Sequence, residues 1–179
     1  GYIETRNKAP LTKYKGGTNL LNFDEVKDLP EYAGVLADDV ILIDIDDYGQ
    51  SEILMNIIED KQIDCVVRKT SRGRHFLFKN TTVDKCRTGK PLACGLRADI
   101  KIGKHNGTQI LKFNGEERFV EWDTEGRDLQ ELPKWLLPVS SNVDFFNMEE
   151  GDGRNSTLFA YILTLTNAGF SKEESRECI

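Results

Sequence analysis

The sequence predicts an α+β fold, with a sheet built from residues 1–139 and a small helical segment after it. Short apolar runs that alternate with polar residues recur from residue 32 to residue 122, which is typical of strands. Among these runs, residues 51–59 have the apolar spacing of a core helix. After a linker at 140–152, helical spacing returns at 153–179, which we interpret as the truncated start of a helical accessory domain.

Composition limits the class of protein. The chain has 179 residues, 39% of them hydrophobic, which is enough to bury one core. No apolar run approaches the ~20 residues of a membrane span, and the first residues lack the pattern of a signal peptide. The four cysteines form no CxxC pair, which is typical of a reducing compartment. We therefore expect a cytoplasmic protein with no membrane partner.

The start of the chain predicts a polar loop with one short strand, then a helix and a hairpin. Asn22 and Glu25 have the spacing of a capping box, which predicts a short helix that ends near Leu29. Residues 32–37 alternate weakly and are followed by an Asp-Asp turn and the apolar run 40–45. We predict that these two runs pair as a β-hairpin.

The run 40–45 leads into carboxylates, and their position carries the functional argument. Alternation along a strand places Asp44 and Asp46 on the same face, about 7 Å apart along the strand. The core face then holds Ile41, Ile43 and Ile45. Mg²⁺ prefers carboxylate oxygens and leaves its other positions to water and substrate phosphates. A buried strand that runs into an acidic surface turn is the alternative interpretation.

Residues 65–79 predict a second hairpin across a glycine-containing turn at 71–73. In its second strand the core-facing residues are Phe76 and Phe78, and the outward residues are His75, Leu77 and Lys79. Strict alternation places Arg74 and His75 on different faces of the strand. Arg74 therefore reaches the face of His75 only if the turn twists or bulges. The basic sequence before His75 favours a phosphate-facing role for this histidine.

Residues 96–102 predict a further strand that carries a third carboxylate, Asp99. Alternation turns Arg97, Asp99 and Lys101 away from the core. A hairpin is predicted from residues 109–113 and 118–122, which flank an Asn-Gly turn, and a short closing helix from residues 132–138.

Charge is distributed unevenly along the chain. The formal net charge is −6, yet residues 61–112 contain 13 Lys and Arg against three acids. A basic central segment in an otherwise acidic chain is typical of a site that binds a polyanion. A solvated basic surface without a ligand is the alternative.

The outward residues of three strands are expected to converge on one site. Asp44 and Asp46 come from one strand, His75 from a second and Asp99 from a third. Cations stand beside them in the sequence: Arg72, Arg74 and Lys101. This set suits metal-assisted phosphoryl chemistry, in which two ions about 3.5–4 Å apart stabilise the attacking and leaving oxygens. We expect the acids to be exposed and to repel one another without metal.

Three segments follow one another at wide separations: Asp44-Ile45-Asp46, Ser71-Arg72-Gly73-Arg74-His75-Phe76 and Asp99-Ile100-Lys101. They resemble the three motifs of the archaeo-eukaryotic primase superfamily, and most closely those of its phage- and plasmid-borne primase-polymerases. The second motif of that family usually has a serine two residues before the histidine, where this chain has Gly73. The resemblance covers roughly residues 1–140. The helix start at Gly153-Arg154-Asn155 resembles the helical region that follows the catalytic domain in such proteins.

The resemblance implies an RRM-like antiparallel or mixed catalytic sheet joined to an N-terminal α/β unit. It implies that the catalytic residues Asp44, Asp46 and Asp99 hold Mg²⁺ or Mn²⁺ in a two-metal site. The residues expected to bind the incoming NTP or dNTP are Arg72, Arg74, His75 and Lys101. Those expected to bind the single-stranded DNA template are Lys69, Lys85, Arg87 and Lys104.

The activity implied by the resemblance is the synthesis and extension of primers during phage or mobile-element replication in a bacterial or archaeal host cell. A helicase domain would then follow in the full-length protein. Two other functions stay open from the residues alone. The same carboxylates suit a metal-dependent nuclease or phosphohydrolase, because a bound metal also activates water. A replication module that binds nucleic acid without catalysis is the third.

Overall fold

The computed structural model describes residues 1–145, 148 and 153–179, which form an α+β fold as predicted. The strands are β1 (Tyr2–Arg6), β2 (Ala9–Pro10), β3 (Tyr32–Val35), β4 (Val40–Ile45), β5 (Val66–Lys69), β6 (Arg74–Lys79), β7 (Arg87–Pro91), β8 (Arg97–Ile102), β9 (Thr108–Phe113), β10 (Glu116–Glu117) and β11 (Val120–Trp122). The α-helices are α1 (Phe23–Val26), α2 (Tyr48–Lys61), α3 (Arg154–Asn167) and α4 (Lys172–Glu177), with 3-10 turns at Lys15–Gly17, Gly103–His105 and Lys134–Leu136.

These strands form two antiparallel sheets. The six-stranded sheet has the order β11-β5-β6-β4-β8-β7, with β4 near its centre. Its core face buries the alternating residues that the sequence predicts, among them Ile43 of β4, Phe76 of β6 and Ile100 of β8. Leu54 and Ile58 of α2 pack into the same core. The alternation of these strands therefore correctly predicted which of their side chains face this core.

The five-stranded sheet has the order β10-β9-β3-β1-β2. It combines β1, β2 and β3 from the start of the chain with β9 and β10 from much later. The predicted N-terminal unit is therefore not built from N-terminal residues alone. This arrangement brings side chains of β9 and of the residues after β10 towards β6.

The predicted hairpin of β3 with β4 is wrong. β3 pairs with β1 and β9, whereas β4 pairs with β6 and β8 in the other sheet. Between them, Leu36 donates its backbone N–H to the carbonyl of Gly107 at 2.9 Å and packs with Leu42 and Leu77. Leu36, Leu42 and Leu77 form an apolar cluster separate from the main core, and the chain passes from one sheet to the other at Leu36. Alternation identifies strands but does not select their partners.

The hairpin across Asn114 and Gly115 forms, but it is shorter than predicted. Both residues have positive φ and join β9 to β10. The returning strand was predicted at residues 118–122, but β10 precedes that segment, and β11 within it pairs with β5 in the six-stranded sheet. The chain therefore changes sheets again just after β10.

The C-terminal helices pack against the core of the six-stranded sheet. Tyr161 and Leu165 of α3 are buried in the same apolar cluster as the strands, and Tyr161 Oη donates to the carbonyl of Ala93 at 2.7 Å. The capping box of Ser171 with Glu174 forms as predicted. Much of the predicted linker, residues 146, 147 and 149–152, lies outside the described residues. The division of the chain into a catalytic domain and a helical accessory domain stays a prediction.

Two predicted helices are shorter in the structure. The capping box of Asn22 and Glu25 forms, but α1 ends at Val26. The predicted closing helix at 132–138 is reduced to the 3-10 turn Lys134–Leu136. Pro138 disfavours a helical conformation of the residue before it, and Leu137 is extended. In the described part of the chain, no helix has both the length and the apolar character needed to cross a membrane.

Candidate active site

A row of polar residues crosses four neighbouring strands on the face opposite the core. Arg68 of β5 stands opposite His75 of β6, His75 opposite Asp44 of β4, and Asp44 opposite Asp99 of β8. Side chains of directly opposed residues lie on the same face of a sheet. Asp44 and Asp99 therefore share one face, as the alternation predicted.

Asp46 joins these two carboxylates at the end of β4. Asp44, Asp46 and Asp99 line one depression together with Gln50 and Arg97. Gln50 is fixed there because its side-chain oxygen accepts the backbone N–H of Arg97 at 2.8 Å. The structure thus brings the three predicted acids to the rim of a single open depression.

Asp44 is buried, which corrects the expectation that all three acids are exposed and repel one another. Only 9% of the residue is exposed. Its Oδ2 accepts a hydrogen bond from Lys101 Nζ at 2.9 Å, and its Oδ1 lies 3.3 Å from His75 Nε2. Burial alone raises the pKa of Asp44, but His75 and Lys101 outweigh burial and hold the pKa well below its usual range. Asp44 is therefore an anion at neutral pH.

The other two acids are also held by donors of the chain. The exposed carboxylate of Asp46 pairs with the guanidinium of Arg72. Asp99, which is partly buried, accepts the backbone N–H of Gly89 at 2.7 Å. Arg72 and Lys101, two residues predicted to bind phosphate, thus contact the carboxylates of the site directly.

The donor set suits a hard cation, although the carboxylates do not converge. Among the described residues, no three carboxylate, imidazole or thiolate groups lie close enough to hold a metal ion. The buried Oδ1 of Asp44, however, receives no hydrogen bond of acceptable geometry. A buried carboxylate oxygen without a donor is costly, and a divalent cation would satisfy it. Only this oxygen of Asp44 therefore points to a cation, and a metal site formed by Asp44, Asp46 and Asp99 stays a prediction.

His75 is enclosed by groups from the five-stranded sheet. Gln109 Nε2 of β9 lies 3.3 Å from His75 Nδ1, and Arg118 Nη1 lies 3.0 Å from His75 Nε2. The pKa of His75 is lowered, mainly because burial disfavours the charged ring. The nearby cations Arg118 and Lys101 lower the pKa further, whereas Asp44 acts in the opposite direction. At neutral pH the ring is therefore uncharged and presents one acceptor nitrogen.

Arg118 is a site residue that the sequence reasoning missed. Burial lowers the pKa of its guanidinium, while the charges of Asp44 and Asp46 act in the opposite direction. Both carboxylates therefore lie within electrostatic reach of Arg118. Arg118 was predicted to lie within a hairpin strand, and no local pattern distinguishes it from other basic residues. It approaches His75 because the chain passes from one sheet to the other between β10 and β11.

Arg74 does not lie on the face of His75, where its predicted role in binding the nucleotide would require it. Arg74 is 2% exposed and lies on the core side of β6. Its Nε and Nη2 donate to Glu121 at 2.6 and 2.9 Å, and Nη2 lies 2.7 Å from Glu52 Oε2. Strict alternation along β6 holds, so the turn does not carry Arg74 to the face of His75. These ion pairs join β6 to α2 and β11.

The predicted template-binding residues are all exposed. Lys69 ends β5, beside the turn that carries Arg72. Lys85 and Arg87 lie before and at the start of the edge strand β7, and Lys104 lies in the 3-10 turn after β8. Their positions are compatible with contact to a polyanion, and their role in binding DNA stays a prediction.

Gly73 sets the close approach between the turn at 71–73 and the end of β4. A Cβ atom at this residue would lie 1.9 Å from the backbone oxygen of Ile45. This backbone contact leaves no space for any other residue. Gly73 thereby keeps the turn that carries Arg72 against the segment that carries Asp46.

We expect Gly73→Ala to destabilise the chain by about 1–3 kcal/mol, because the methyl group must push two backbone segments apart. Thermal unfolding followed by circular dichroism measures this change. Gly49→Ala is the matched control, since a Cβ there lies 3.4 Å from its nearest neighbour and alanine favours the helix. Equal stability of the Gly73→Ala variant and the wild type would contradict the proposed contact.

Comparison of the chain with protein-family models, with curated proteins and with solved structures finds no match in any of the three.

Proposed function

We propose that this chain is a metal-dependent primase-polymerase that transfers nucleotides onto a primer strand using single-stranded DNA as template. The observation that carries the proposal is the common face of Asp44 and Asp99, with Asp46 at the same depression and His75 beside Asp44. This arrangement unites all three motifs that resemble those of the primase superfamily. Carboxylates beside cations suit phosphoryl transfer, because catalysis there consists largely of positioning and charge stabilisation.

The order of the strands supports an RRM-like catalytic sheet. In sequence, β4 is followed by α2, β5, β6 and later β8, and in the sheet these strands have the order β5-β6-β4-β8. This is the order of a β-α-β-β-α-β sheet in which the second connection carries β7 in place of a helix. In such a sheet β4 and β6 are the central strands, and they hold Asp44 and His75.

Each residue of the site then has a role. Asp44, Asp46 and Asp99 would hold Mg²⁺ or Mn²⁺, which would stabilise charge on the attacking and leaving oxygens. Arg72 and Lys101 neutralise Asp46 and Asp44 in the chain as described. A bound triphosphate offers these two cations new acceptors, because phosphate oxygens accept several charge-assisted hydrogen bonds. When Arg72 and Lys101 move from the carboxylates to the phosphate oxygens, binding of the nucleotide frees the acids to bind metal.

His75 and Arg118 would bind the triphosphate as a pair. Arg118 Nη1 lies 3.0 Å from His75 Nε2, and a phosphate group bound there would accept charge-assisted hydrogen bonds from the guanidinium. Arg118 thus takes the place that the sequence assigned to Arg74. The incoming nucleotide, the template and a helicase domain in the full-length protein are the partners that the proposal implies.

The test of the proposal is primer extension. The chain is incubated with single-stranded template, labelled nucleotides and Mg²⁺ or Mn²⁺, with and without a primer. Longer labelled products that require the template support the proposal. Shortened DNA indicates a nuclease instead, and binding without any change of length indicates a non-catalytic replication module.

We expect Arg118→Gln to weaken nucleotide binding about tenfold or more, since a hydrogen bond between charged groups contributes about 1.5–3 kcal/mol. Titration calorimetry with a non-hydrolysable nucleotide in the presence of Mg²⁺ measures the affinity. Arg176→Gln, which changes an exposed arginine of α4, is the control and should bind as the wild type does. Unaltered affinity in Arg118→Gln would exclude Arg118 from the nucleotide site.

A further inference from the structure

Phe119 presents an unusually exposed aromatic ring next to the candidate active site. Its exposure is 68%, above that of any other large apolar side chain in the described residues. The backbone beneath the ring is ordered, because the carbonyl of Phe119 accepts the N–H of Lys69 at 2.9 Å. The ring is therefore carried by the short connection between β10 and β11, whose backbone is hydrogen-bonded to the end of β5.

A groove with cations and a second aromatic ring adjoins Phe119. Lys8, Lys69 and Arg118 line it, and Lys8 Nζ lies 5.0 Å from the centre of the Phe113 ring. Two carboxylates, those of Glu116 and Glu117, also line the groove. Cations thus outnumber acids by one along its walls. Aromatic rings interleaved with basic side chains are the surface on which single-stranded nucleic acids bind.

The groove adjoins the candidate site through Arg118 and Ser71. Arg118 lines the groove and also contacts His75 at 3.0 Å. Ser71, which also lines the groove, precedes Arg72, and Arg72 pairs with Asp46. The groove is therefore linked to the candidate site through Arg118 and through the turn that carries Arg72.

We propose that this groove binds single-stranded nucleic acid and that unpaired bases stack on Phe119. The inference rests on the proposed function for its biological setting, but the binding itself does not require catalysis. A duplex has no free base faces to offer the ring, whereas each base of a single strand has one. Lys69 and Lys8 then neutralise phosphates on either side of the stacked base.

The test is fluorescence anisotropy with a labelled oligothymidylate of about 12 nucleotides, within the usual site size of single-strand binding folds. We expect Phe119→Ala to weaken binding about tenfold, which corresponds to the loss of one stacked base. Phe119→Trp should retain the affinity. Phe159→Ala is the matched control, because Phe159 is 64% exposed on α3 and lies outside the groove.

Salt dependence separates stacking from charge. Phe119→Ala should leave the slope of log affinity against log salt unchanged, whereas Lys69→Gln should reduce its magnitude by about 0.7 for one phosphate contact. Equal binding by Phe119→Ala and the wild type would overturn the inference. So would an equal loss of affinity for a duplex of the same length, or the absence of oligonucleotide binding by the wild type.

These outcomes are distinguishable from failure of the proposed function. If the wild type extends no primer but binds single strands through Phe119, the polymerase proposal fails and the groove stands. If primers are extended while Phe119→Ala binds the oligonucleotide normally, the groove assignment fails and the catalytic site stands.

Discussion

Replacement of Asp44 by asparagine is expected to lower nucleotide incorporation about a thousandfold. Asparagine has nearly the same shape and still offers an oxygen to Lys101, but it removes the negative charge that a divalent cation requires. Metal stabilisation of transition-state charge contributes several kcal/mol, and each 1.36 kcal/mol corresponds to a factor of ten in rate. Primer extension under single-turnover conditions measures the loss.

Asp60→Asn, which changes an exposed acid of α2, is the matched control and should retain full activity. An Asp44→Asn variant that folds and still incorporates nucleotides at the rate of the wild type would exclude the proposed site. A parallel loss in Asp46→Asn and Asp99→Asn is expected, because all three acids line the same depression.

Stability against pH provides a readout of Asp44 that does not involve activity. The pKa of Asp44 is lower in the folded chain than in the unfolded one, so its charge stabilises the fold above pH ~4. This contribution is lost as the pH falls below that value towards the folded pKa. The difference in unfolding free energy between wild type and Asp44→Asn should therefore shrink between neutral and acidic pH.

Replacement of Arg74 by methionine is expected to destabilise the chain by about 3 kcal/mol. Methionine fills much of the space, but it leaves Glu121 and Glu52 without their cation, and breaking a buried ion pair costs about 3–5 kcal/mol. We place the cost at the lower end because the two glutamates are partly exposed. For a chain of this size the melting temperature should fall by about 6–12 °C.

Arg72→Gln is the control for this prediction, since its ion pair with Asp46 is exposed and such pairs contribute about 0–1 kcal/mol. The two arginines flank Gly73, yet only Arg74 should affect stability strongly. The opposite pattern is expected for nucleotide binding, in which Arg72 takes part and Arg74 does not. A stable Arg74→Met variant with weakened nucleotide affinity would restore the interpretation that the sequence first favoured.

The sequence by itself determined which side chains of the central strands β4, β6 and β8 face the core. Alternation of Ile41, Ile43 and Ile45 with Asp44 is a local property, because successive side chains of a strand point to opposite sides. The same rule correctly placed Phe76 in the core and Asp99 away from it. Both capping boxes formed as predicted, since their hydrogen bonds join residues three positions apart.

The tertiary structure alone decided which strands became neighbours, and with that the environment of the site. Pairing of β3 with β9 instead of β4 depends on contacts between residues more than 70 positions apart, which no local pattern encodes. That pairing brings Gln109 and Arg118 to His75. Asp44 is a buried, paired anion and not an exposed one, because Lys101 and His75 approach it from two neighbouring strands. The burial and the protonation state of a site residue depend on contacts with residues that are distant in the sequence. They therefore follow from the fold and not from the order of residues along one strand.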